Sequence, residues 1–397
     1  MRILVGWDDP AEAELIDTFL NIDEHSARVA TDGGRMEQYL ADGPYDAVLM
    51  ALGFPSMEEA FPLFQKIRQT LPGVPVVGAW RSGEISQVAK FILNGLHSFI
   101  SRDENGDYIF LLMSIMEAAH MAVQAQRAQV VAEKLREEVE AVRQLQESVL
   151  PRDLPMPEGY KIVARYEQSQ IRVLGDRPVV MAGGDYYDVF RLDEDQAVIV
   201  LGDAAGHGVK ACMSIMTMHT LITMIGEQRF SDTAEFVTDL NRRLCKSDII
   251  GGEQGGFITL LYCTLNASTH RLEWTSAGHP MPLLQDLKTN EIRKLASKDE
   301  GGLPLVIDED WEYERCEAYI PENSRILMYT DGLDEAFPEH GSEEDQFGEE
   351  GIIRTLQATR DATLEEALDA LFQASHEATG GSGRLDDTSV VLVERRT

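Results

Sequence analysis

Basic residues are scarce in this chain relative to acidic ones. The 397 residues include 35 Lys and Arg against 68 Asp and Glu, which gives a formal net charge of −33 at pH 7. Such a surface repels polyanions, so we expect neither nucleic acid nor an anionic membrane surface as a partner. The composition, 44% hydrophobic and 26% charged, is typical of a soluble globular protein. The length favours two domains, each large enough to bury its own core.

Cysteines and long apolar runs are also scarce. The four cysteines lie far apart and have no CxxC spacing: Cys212, Cys245, Cys263 and Cys316. This pattern excludes a disulfide-rich secreted scaffold and favours a reducing compartment. No secretory signal stands at the N-terminus, and no uninterrupted apolar run approaches the roughly 20 residues that cross a bilayer. We therefore expect a cytoplasmic protein with no membrane partner.

Strand-like and helical runs alternate five times between residues 1 and 125. The strand-like runs include "RILVGW", "SARVA", "DAVLMA" and "VPVVGAW", and turn residues separate them from the helical runs. This order predicts a doubly wound parallel sheet with helices on both faces. In such a fold the functional site lies at the carboxyl ends of the strands.

The runs "RILVGWDDP", "YDAVLMALGFPSM", "VPVVGAW" and "NGLHSFISRD" resemble the receiver domain of response regulators. On the family pattern, Ala51 stands in place of the phosphate-accepting aspartate, and Trp7 replaces one of two acidic residues while Asp8 keeps the other. Trp80 replaces the Ser/Thr, and Arg102 replaces the Lys. The resemblance implies a pseudo-receiver that cannot be phosphorylated and on which a regulatory protein docks. A small ligand bound between the tryptophans is the alternative.

Residues 108–150 contain neither glycine nor proline, which predicts one long helix. Its second half places apolar residues near heptad spacing: Val131, Leu135, Val142, Leu145 and Val149. This spacing predicts a parallel coiled coil that joins two copies of the chain into a homodimer. An amphipathic helix that lies on the chain's own domains is the alternative. The prolines in "LPRDLPMP" end the helix.

Strand-like runs dominate after residue 158. They include "YKIVARYE", "AVIVLGD", "FITLLYCTLN", "RILMYTDG" and "TSVVLVER", and helical stretches interrupt them at 209–226, 231–246 and 363–378. We expect an α+β domain, an antiparallel β-sandwich flanked by helices. The predicted organisation is a receiver-like domain, a helical coiled-coil linker and a second domain, over residues 1–125, 126–155 and 156–397.

Aspartates stand where several of these strands begin or end: Asp185 in "AGGDYYD", Asp203 in "LGDAAGHG", Asp331 in "YTDGLDEA", and Asp386 and Asp387 in "LDDTSVVLV". A single Asp-Gly after a strand is more often a hairpin turn than a ligand. Carboxylates that converge, however, repel one another and require a cation. Oxygen ligands favour Mg²⁺ or Mn²⁺ over Zn²⁺. Two such ions would activate a shared water and clamp a phosphoryl group, which predicts metal-dependent phosphate-ester hydrolysis.

These motifs, with "FITLLYCTL" and "SAGHPMPLL" between them, resemble the SpoIIE/RsbU-type branch of the PP2C protein phosphatases in order and spacing. The resemblance implies an α+β PP2C-type fold with two Mn²⁺ or Mg²⁺ ions. It implies metal ligands at Asp185, Asp203, Asp331, Asp386 and the carbonyl of Ala204, with Asp387 as the alternative to Asp386. Catalytic roles follow by the same resemblance for Asp185, Asp203 and His207. The histidine either acts as an acid toward the leaving group or only shapes its loop.

The resemblance also implies a phosphorylated protein substrate, such as an anti-anti-sigma (STAS) factor. In relatives the helices after the first metal loop act as a switch, and their counterpart is the Met-rich stretch 210–225, for which a plain core helix is the alternative. Gly278 and His279 are expected to fix a turn. The alternative for the whole chain is an inactive adaptor with a phosphatase fold that binds a sigma factor, against which the intact aspartates argue.

Overall fold

The computed structural model describes most of the chain: residues 1–21, 25–81, 85–103, 105–172, 178–180, 183–206, 208–226, 230, 232–247, 250, 256–295, 301–338, 345–381 and 383–396. The chain divides into two compact units, Met1–Leu135 (unit 1) and Arg136–Thr397 (unit 2). The three-part division expected from the sequence stays a prediction. Its linker, residues 126–155, contributes residues to both units.

Unit 1 contains a five-stranded sheet in which every neighbouring pair is parallel, with the order β2-β1-β3-β4-β5. The strands are β1 (Arg2–Gly6), β2 (Ser26–Ala30), β3 (Ala47–Ala51), β4 (Val76–Arg81) and β5 (Ser98–Arg102). The helices are α1 (Pro10–Leu20), α2 (Gly33–Ala41), α3 (Ala60–Thr70), α4 (Ile85–Leu93) and the first part of α5 (Ile109–Val149). This strand order is one of the two common doubly wound arrangements. It agrees with the alternating pattern of the sequence.

Local sequence explains why the first helix begins and which face it buries. Asp9 precedes α1, and its carboxylate accepts hydrogen bonds from the backbone N–H groups of Ala11 and Glu12, as an N-cap residue does. Ile16 and Leu20, four residues apart on one face, are fully buried. The packing of such helices on both faces of the sheet explains why all five residues of β3 are buried.

Helix α5 is longer than any other helix that the structure describes. Leu112, Met116 and Ala119 are buried in the core of unit 1, whereas the Val131 and Leu135 side chains are 58% and 61% exposed. The helix is long and apolar enough, by length and composition, to cross a membrane, which the sequence analysis did not anticipate. Core helices can share that composition, but only 17% of the most apolar 18-residue stretch of α5 is buried.

Unit 2 contains two five-stranded antiparallel sheets and a short separate pair. In chain order its strands are β6 (Tyr160–Glu167), β7 (Gln170–Arg172), β8 (Pro178–Val180), β9 (Asp185–Arg191), β10 (Gln196–Ala204), β11 (Ile258–Asn266), β12 (Arg271–Ala277), β13 (Leu283–Asp286), β14 (Ile292–Lys294), β15 (Cys316–Tyr319), β16 (Ser324–Tyr329) and β17 (Thr388–Arg395). The sheets have the orders β15-β12-β11-β10-β9 and β14-β13-β16-β17-β6, and β7 pairs with β8. The helices are α6 (Val209–Ile225), α7 (Thr233–Cys245), α8 (Gly348–Ala358) and α9 (Leu364–Ala378).

The two sheets pack face to face, and helices cover their outer faces. On β10, Ile199 and Leu201 belong to the core between the sheets, whereas Val198 and Val200 belong to a second core that also contains residues of α6 and α7. A third core joins the other sheet to α8 and α9. Burial on both faces explains the continuous apolar run of β10. The β-sandwich flanked by helices that the sequence predicts is therefore present.

Candidate active site

Strand register brings the first two predicted aspartates together. Asp185 opens β9 and Asp203 lies near the end of β10, and the two residues are direct partners in this antiparallel pair. Side chains of directly opposed residues lie on the same face of the sheet, with their Cβ atoms roughly 5 Å apart. Asp185 is completely buried. The pairing therefore forces two carboxyl groups into one region.

The second sheet supplies the other three predicted aspartates. Asp331 follows β16, and Asp386 and Asp387 precede β17. The two strands are antiparallel neighbours with Tyr329 opposite Val390, so the end of one strand and the start of the other lie side by side. All three aspartates consequently stand at the same end of this sheet.

The contacts of Gly184 with Asp387 and of Thr330 with Asp185 join the two sheets at this end. The Asp387 Oδ2 atom accepts a hydrogen bond from the backbone N–H of Gly184 at 2.6 Å, and its Oδ1 atom accepts one from the backbone N–H of Ser169 at 2.8 Å. The Thr330 hydroxyl donates to Asp185 Oδ2 at 2.6 Å. Both oxygens of Asp387 are thus used in backbone contacts. One oxygen of Asp386, Oδ1, accepts a hydrogen bond from the backbone N–H of Asp387 at 2.8 Å.

The aspartates raise one another's pKa values. Burial, and then repulsion from Asp331 and Asp386, raises the pKa of Asp203 to about 8. Burial is also the largest cause that raises the pKa of Asp386 to about 7. The pKa of Asp185 lies well above its ordinary value because of burial and of repulsion from Asp203. No ion pair connects these groups to a Lys or Arg within the part of the chain that the structure describes. Within the described residues, their negative charge is therefore not balanced by an ion pair with a basic side chain.

The residues present fit a hard divalent cation. The Oδ1 atoms of Asp185 and Asp331 are buried without a hydrogen-bond partner, and carboxylate oxygens of this kind are the ligands that Mg²⁺ and Mn²⁺ prefer. Gly184 allows the backbone to approach closely, since a Cβ atom there would lie 2.7 Å from the Ala204 carbonyl oxygen. Among the described residues, no three His, Cys, Asp or Glu side chains already form a metal-binding group. The carboxylates thus share one electrostatic environment without a closed coordination shell.

The two histidines singled out in the sequence have different outcomes. His207 lies outside the described residues. His279 is buried, and its Nδ1 atom lies 2.9 Å from the Thr259 hydroxyl. Burial lowers the pKa of His279 to about 3, so the ring is neutral. Gly278 has a φ of +72°, which favours glycine. Both residues have the features of the turn expected for this motif.

Sequence reasoning did not single out two residues that contact the site. Thr330 precedes Asp331 and is fully buried while it donates to Asp185. Gln146, near the end of α5, is fully buried and donates to the backbone carbonyl oxygen of Asp185 at 3.0 Å. The only sequence signal for Gln146 was its place in "LQESVLPRDLP", which contains the end of α5 and the start of the connection to β6.

Unit 1 has its own acidic cluster, at the carboxyl ends of its strands. Arg102, at the end of β5, forms ion pairs with Asp8 and Glu12. Glu12 also accepts hydrogen bonds from the Trp7 indole at 2.9 Å and from the Tyr108 hydroxyl at 2.7 Å. Burial acts to raise the pKa of Glu12, but these hydrogen bonds outweigh it and the pKa is lowered. The Arg102 guanidinium therefore pairs with both acids of this cluster, and Arg81 also lies within ion-pair distance of Glu12.

The family comparison concerns unit 2. The profile of the family described as Stage II sporulation protein E (SpoIIE) matches residues 193–396, just over half of the chain. The matched segment contains Asp203, Asp331 and Asp386 and begins after Asp185.

Individual relatives cover the same region. The chain is 25% identical over 259 residues to the phosphoserine phosphatase RsbU of Bacillus subtilis (strain 168), a match that covers 65% of this chain and 71% of that protein. It is 26% identical over 286 residues to the protein IcfG of Synechocystis sp., covering 65% of this chain but only 41% of IcfG. It is 27% identical over 150 residues to the phosphoserine phosphatase RsbP of Bacillus subtilis, covering 38% of this chain and 36% of RsbP.

A solved structure shows the same fold. The SiaA-PP2C domain of Pseudomonas aeruginosa aligns with a TM-score of 0.53 at 19% sequence identity, over 67% of this chain and 98% of that domain. The alignment supports the assignment of the two antiparallel sheets and their helices to a PP2C-like fold.

Proposed function

The chain belongs to the SpoIIE family and is an enzyme of the PP2C serine/threonine phosphatase class, and from this premise we propose that it hydrolyses phosphoserine or phosphothreonine on a protein substrate. The observation that carries the proposal is the group of aspartates at one end of the β-sandwich, with which no described Lys or Arg forms an ion pair. Asp185 and Asp203 come from one sheet, and Asp331 and Asp386 come from the other. Such a group requires cations, and the family's chemistry uses them.

We propose that two Mn²⁺ or Mg²⁺ ions bind at this group. The ligands would be Asp185, Asp203, Asp331, Asp386 and the carbonyl oxygen of Ala204. Bound there, the ions would supply the positive charge that activates a water molecule and balances the phosphate oxygens. Asp386 is preferred to Asp387 because both oxygens of Asp387 already accept backbone hydrogen bonds.

The chain's own residues would hold this arrangement in place. Thr330 fixes one oxygen of Asp185 and leaves the other without a partner. Asp387 holds the backbone of Gly184, the residue before Asp185. His207, which lies outside the described residues, is the proposed acid toward the leaving group.

The substrate class rests on the relatives. RsbU and RsbP of Bacillus subtilis are phosphoserine phosphatases, which supports phosphoserine on a protein as the substrate. A STAS-type anti-anti-sigma factor is the substrate that we propose. We also propose a cytoplasmic location, which the four free cysteines support.

Unit 1 is proposed to act as a pseudo-receiver on which a regulatory protein docks. The position of the acceptor aspartate is Ala51, which is fully buried, and Arg102 fills the acidic cluster. We propose further that α5 joins two chains as a homodimer. The exposed Val131 and Leu135 side chains, four residues apart on this helix, support that pairing.

The second candidate function is the inactive adaptor, a phosphatase fold that binds a client protein such as a sigma factor. The observation in its favour is that the described carboxylates do not already form a metal-binding group.

Phosphate release separates the two functions. The full chain is assayed with Mn²⁺ on a phosphoseryl STAS protein, and on p-nitrophenyl phosphate, beside Asp203→Asn and the control Asp361→Asn, whose side chain is 91% exposed. Loss of a residue that contacts a metal ligand can lower activity by roughly 100-fold. Because Asp203 would itself be a ligand, Asp203→Asn should lower the rate by more than this. Asp361→Asn should leave the rate unchanged. A folded wild-type chain that releases no phosphate with Mn²⁺ present would favour the adaptor.

A further inference from the structure

The last turns of α5 belong to unit 2 and carry one buried polar side chain. Gln146 is fully buried, whereas Leu145 on the same turn is 60% exposed. A buried amide must satisfy both its donor and its acceptor, because an unpaired polar group costs roughly 1–3 kcal/mol. The partners of Gln146 therefore indicate what this end of the helix does.

The amide of Gln146 contacts the backbone on both sides of Gly184. Its Nε2 atom donates to the carbonyl oxygen of Asp185 at 3.0 Å and to the Tyr166 hydroxyl at 3.3 Å. Its Oε1 atom accepts from the backbone N–H of Gly183 at 2.9 Å. One side chain thus holds the two residues that flank Gly184, in the loop that carries a predicted metal ligand.

Other groups pack closely around Gly183 and Gly184. A Cβ atom at Gly183 would lie 2.3 Å from the Asp387 carboxylate, and Gly184 is held between that carboxylate and the backbone N–H of Ala204. The helix, the start of β17 and the end of β10 therefore hold the loop together. Gln146 is the contribution of the helix.

We infer that Gln146 is a positioning residue that places Asp185 for cation binding. This inference rests on the proposed function. Thr330 fixes one carboxylate oxygen of Asp185, while Gln146 fixes its backbone carbonyl. Partners of this kind, one step outside the metal ligands, typically change metal affinity or activity by roughly 10- to 100-fold when they are removed.

The test uses the full chain and measures Mn²⁺ binding directly, by the electron paramagnetic resonance signal of free Mn²⁺. Gln146→Met keeps the approximate side-chain volume and loses all three hydrogen bonds. Gln146→Glu keeps the acceptor for Gly183 and loses the donor to Asp185. The matched control is Gln144→Ala, which removes an exposed glutamine from the same helix. We expect Mn²⁺ affinity to fall roughly tenfold or more in both Gln146 variants and to stay unchanged in the control.

Kinetics provide the readout that a purely structural role would not give. In the Gln146 variants the Mn²⁺ concentration for half activation should rise, while kcat at saturating Mn²⁺ and KM for the phosphorylated substrate return to the wild-type values. If Asp203→Asn abolishes Mn²⁺ binding but either folded Gln146 variant binds Mn²⁺ with wild-type affinity, the inference is wrong and the proposed function still stands. If the wild-type chain binds no Mn²⁺, or Asp203→Asn binds it normally, the proposed function fails and the inference falls with it.

Discussion

Both units gather carboxylates at the ends of their strands, but they neutralise the negative charge in different ways. In unit 1 the guanidinium of Arg102, whose side chain is 3% exposed, pairs with Asp8 and Glu12. In unit 2 no ion pair within the described residues reaches Asp185 or Asp203. One cluster carries its own cation, whereas the other, under the proposed function, would obtain one from solution.

The pKa values show the same contrast. Hydrogen bonds from neighbours that include Arg102 overcome burial and lower the pKa of Glu12, whereas burial and repulsion raise the pKa of Asp203 to about 8. An acidic cluster at a strand end is therefore not by itself a metal site. The position of the nearest basic side chain decides whether an external cation is needed.

Removal of the internal cation should have the largest effect on stability. Arg102→Ala leaves Asp8 and Glu12 without their partner, and we expect a loss of roughly 2–4 kcal/mol, somewhat below the range for fully buried pairs because both acids are partly exposed. Urea denaturation, with amide hydrogen exchange at β1 and β5 to assign the change to unit 1, measures it. The control Arg35→Ala removes an exposed pair with Asp32 and should cost at most about 1 kcal/mol. Equal losses in the two variants would refute the role assigned to Arg102.

Mn²⁺ should stabilise one unit and not the other. At a concentration 100 times Kd, binding to the folded state alone contributes about 2.7 kcal/mol. We expect slower amide exchange at the ends of β9, β10 and β16, and no change at the ends of β1 and β5. Arg102→Ala sharpens the comparison, because the exposed acids of unit 1 should then respond to Mn²⁺ as well. Protection of unit 1 in the wild-type chain would contradict the idea that its cluster is already neutralised.

Adjacent aspartates should respond differently to the same substitution. Asp387→Asn replaces one of two acceptors for backbone N–H groups by a donor, and we expect a loss of about 1–3 kcal/mol in the metal-free protein. Asp386→Asn should leave the metal-free stability nearly unchanged and weaken Mn²⁺ binding. Each variant serves as the control for the other, by urea denaturation and Mn²⁺ titration. The reverse result would make Asp387 the ligand.

The pH dependence of stability should have opposite signs in the two units. The pKa of Glu12 is lowered from 4.5, so its contribution is present above that value and is lost as the pH falls through the lower folded-state pKa. The pKa of Asp203 is raised from 3.8 to about 8, so the metal-free folded state loses stability as the pH rises between those values.

Amide exchange in each unit as a function of pH measures these slopes. Glu12→Gln should reduce the loss of stability of unit 1 as the pH falls. The control Glu14→Gln, at an exposed position, should not. If Glu12→Gln loses as much stability at acidic pH as the wild-type chain, other groups must cause the pH dependence of unit 1.

Much of the fold followed from local pattern. The alternation over residues 1–125 predicted the parallel sheet, because a strand that pairs in parallel with the next requires a crossover helix. Helix α8 was not predicted, since its first turn, Gly348–Glu349–Glu350–Gly351, carries no apolar residue and two glycines. Short strands such as β13 and β14 also lack the length at which alternation becomes visible.

The candidate site was likewise only partly predictable from the sequence. The strand-end aspartates were recognisable because a charged residue directly after an apolar strand is conspicuous, and the strand register then placed Asp203 opposite Asp185. The order of Asp386 and Asp387 could not be predicted, since adjacent residues have the same chemistry and differ only in which backbone N–H groups they meet. Gln146 contacts residues 37 and 39 positions away, a separation that helical periodicity does not report.

The sequence by itself determined the identity of the strands and most helices, the aspartates at the strand ends of unit 2 and the loss of the acceptor aspartate at Ala51, because each is a property of neighbouring residues. The tertiary structure alone decided that Arg102 closes the cluster of unit 1, that Asp387 braces Gly184, and that the end of α5 reaches the Asp185 loop. The physical reason is that these contacts join segments distant in the chain, and only the packing of sheets and helices determines which polar groups meet.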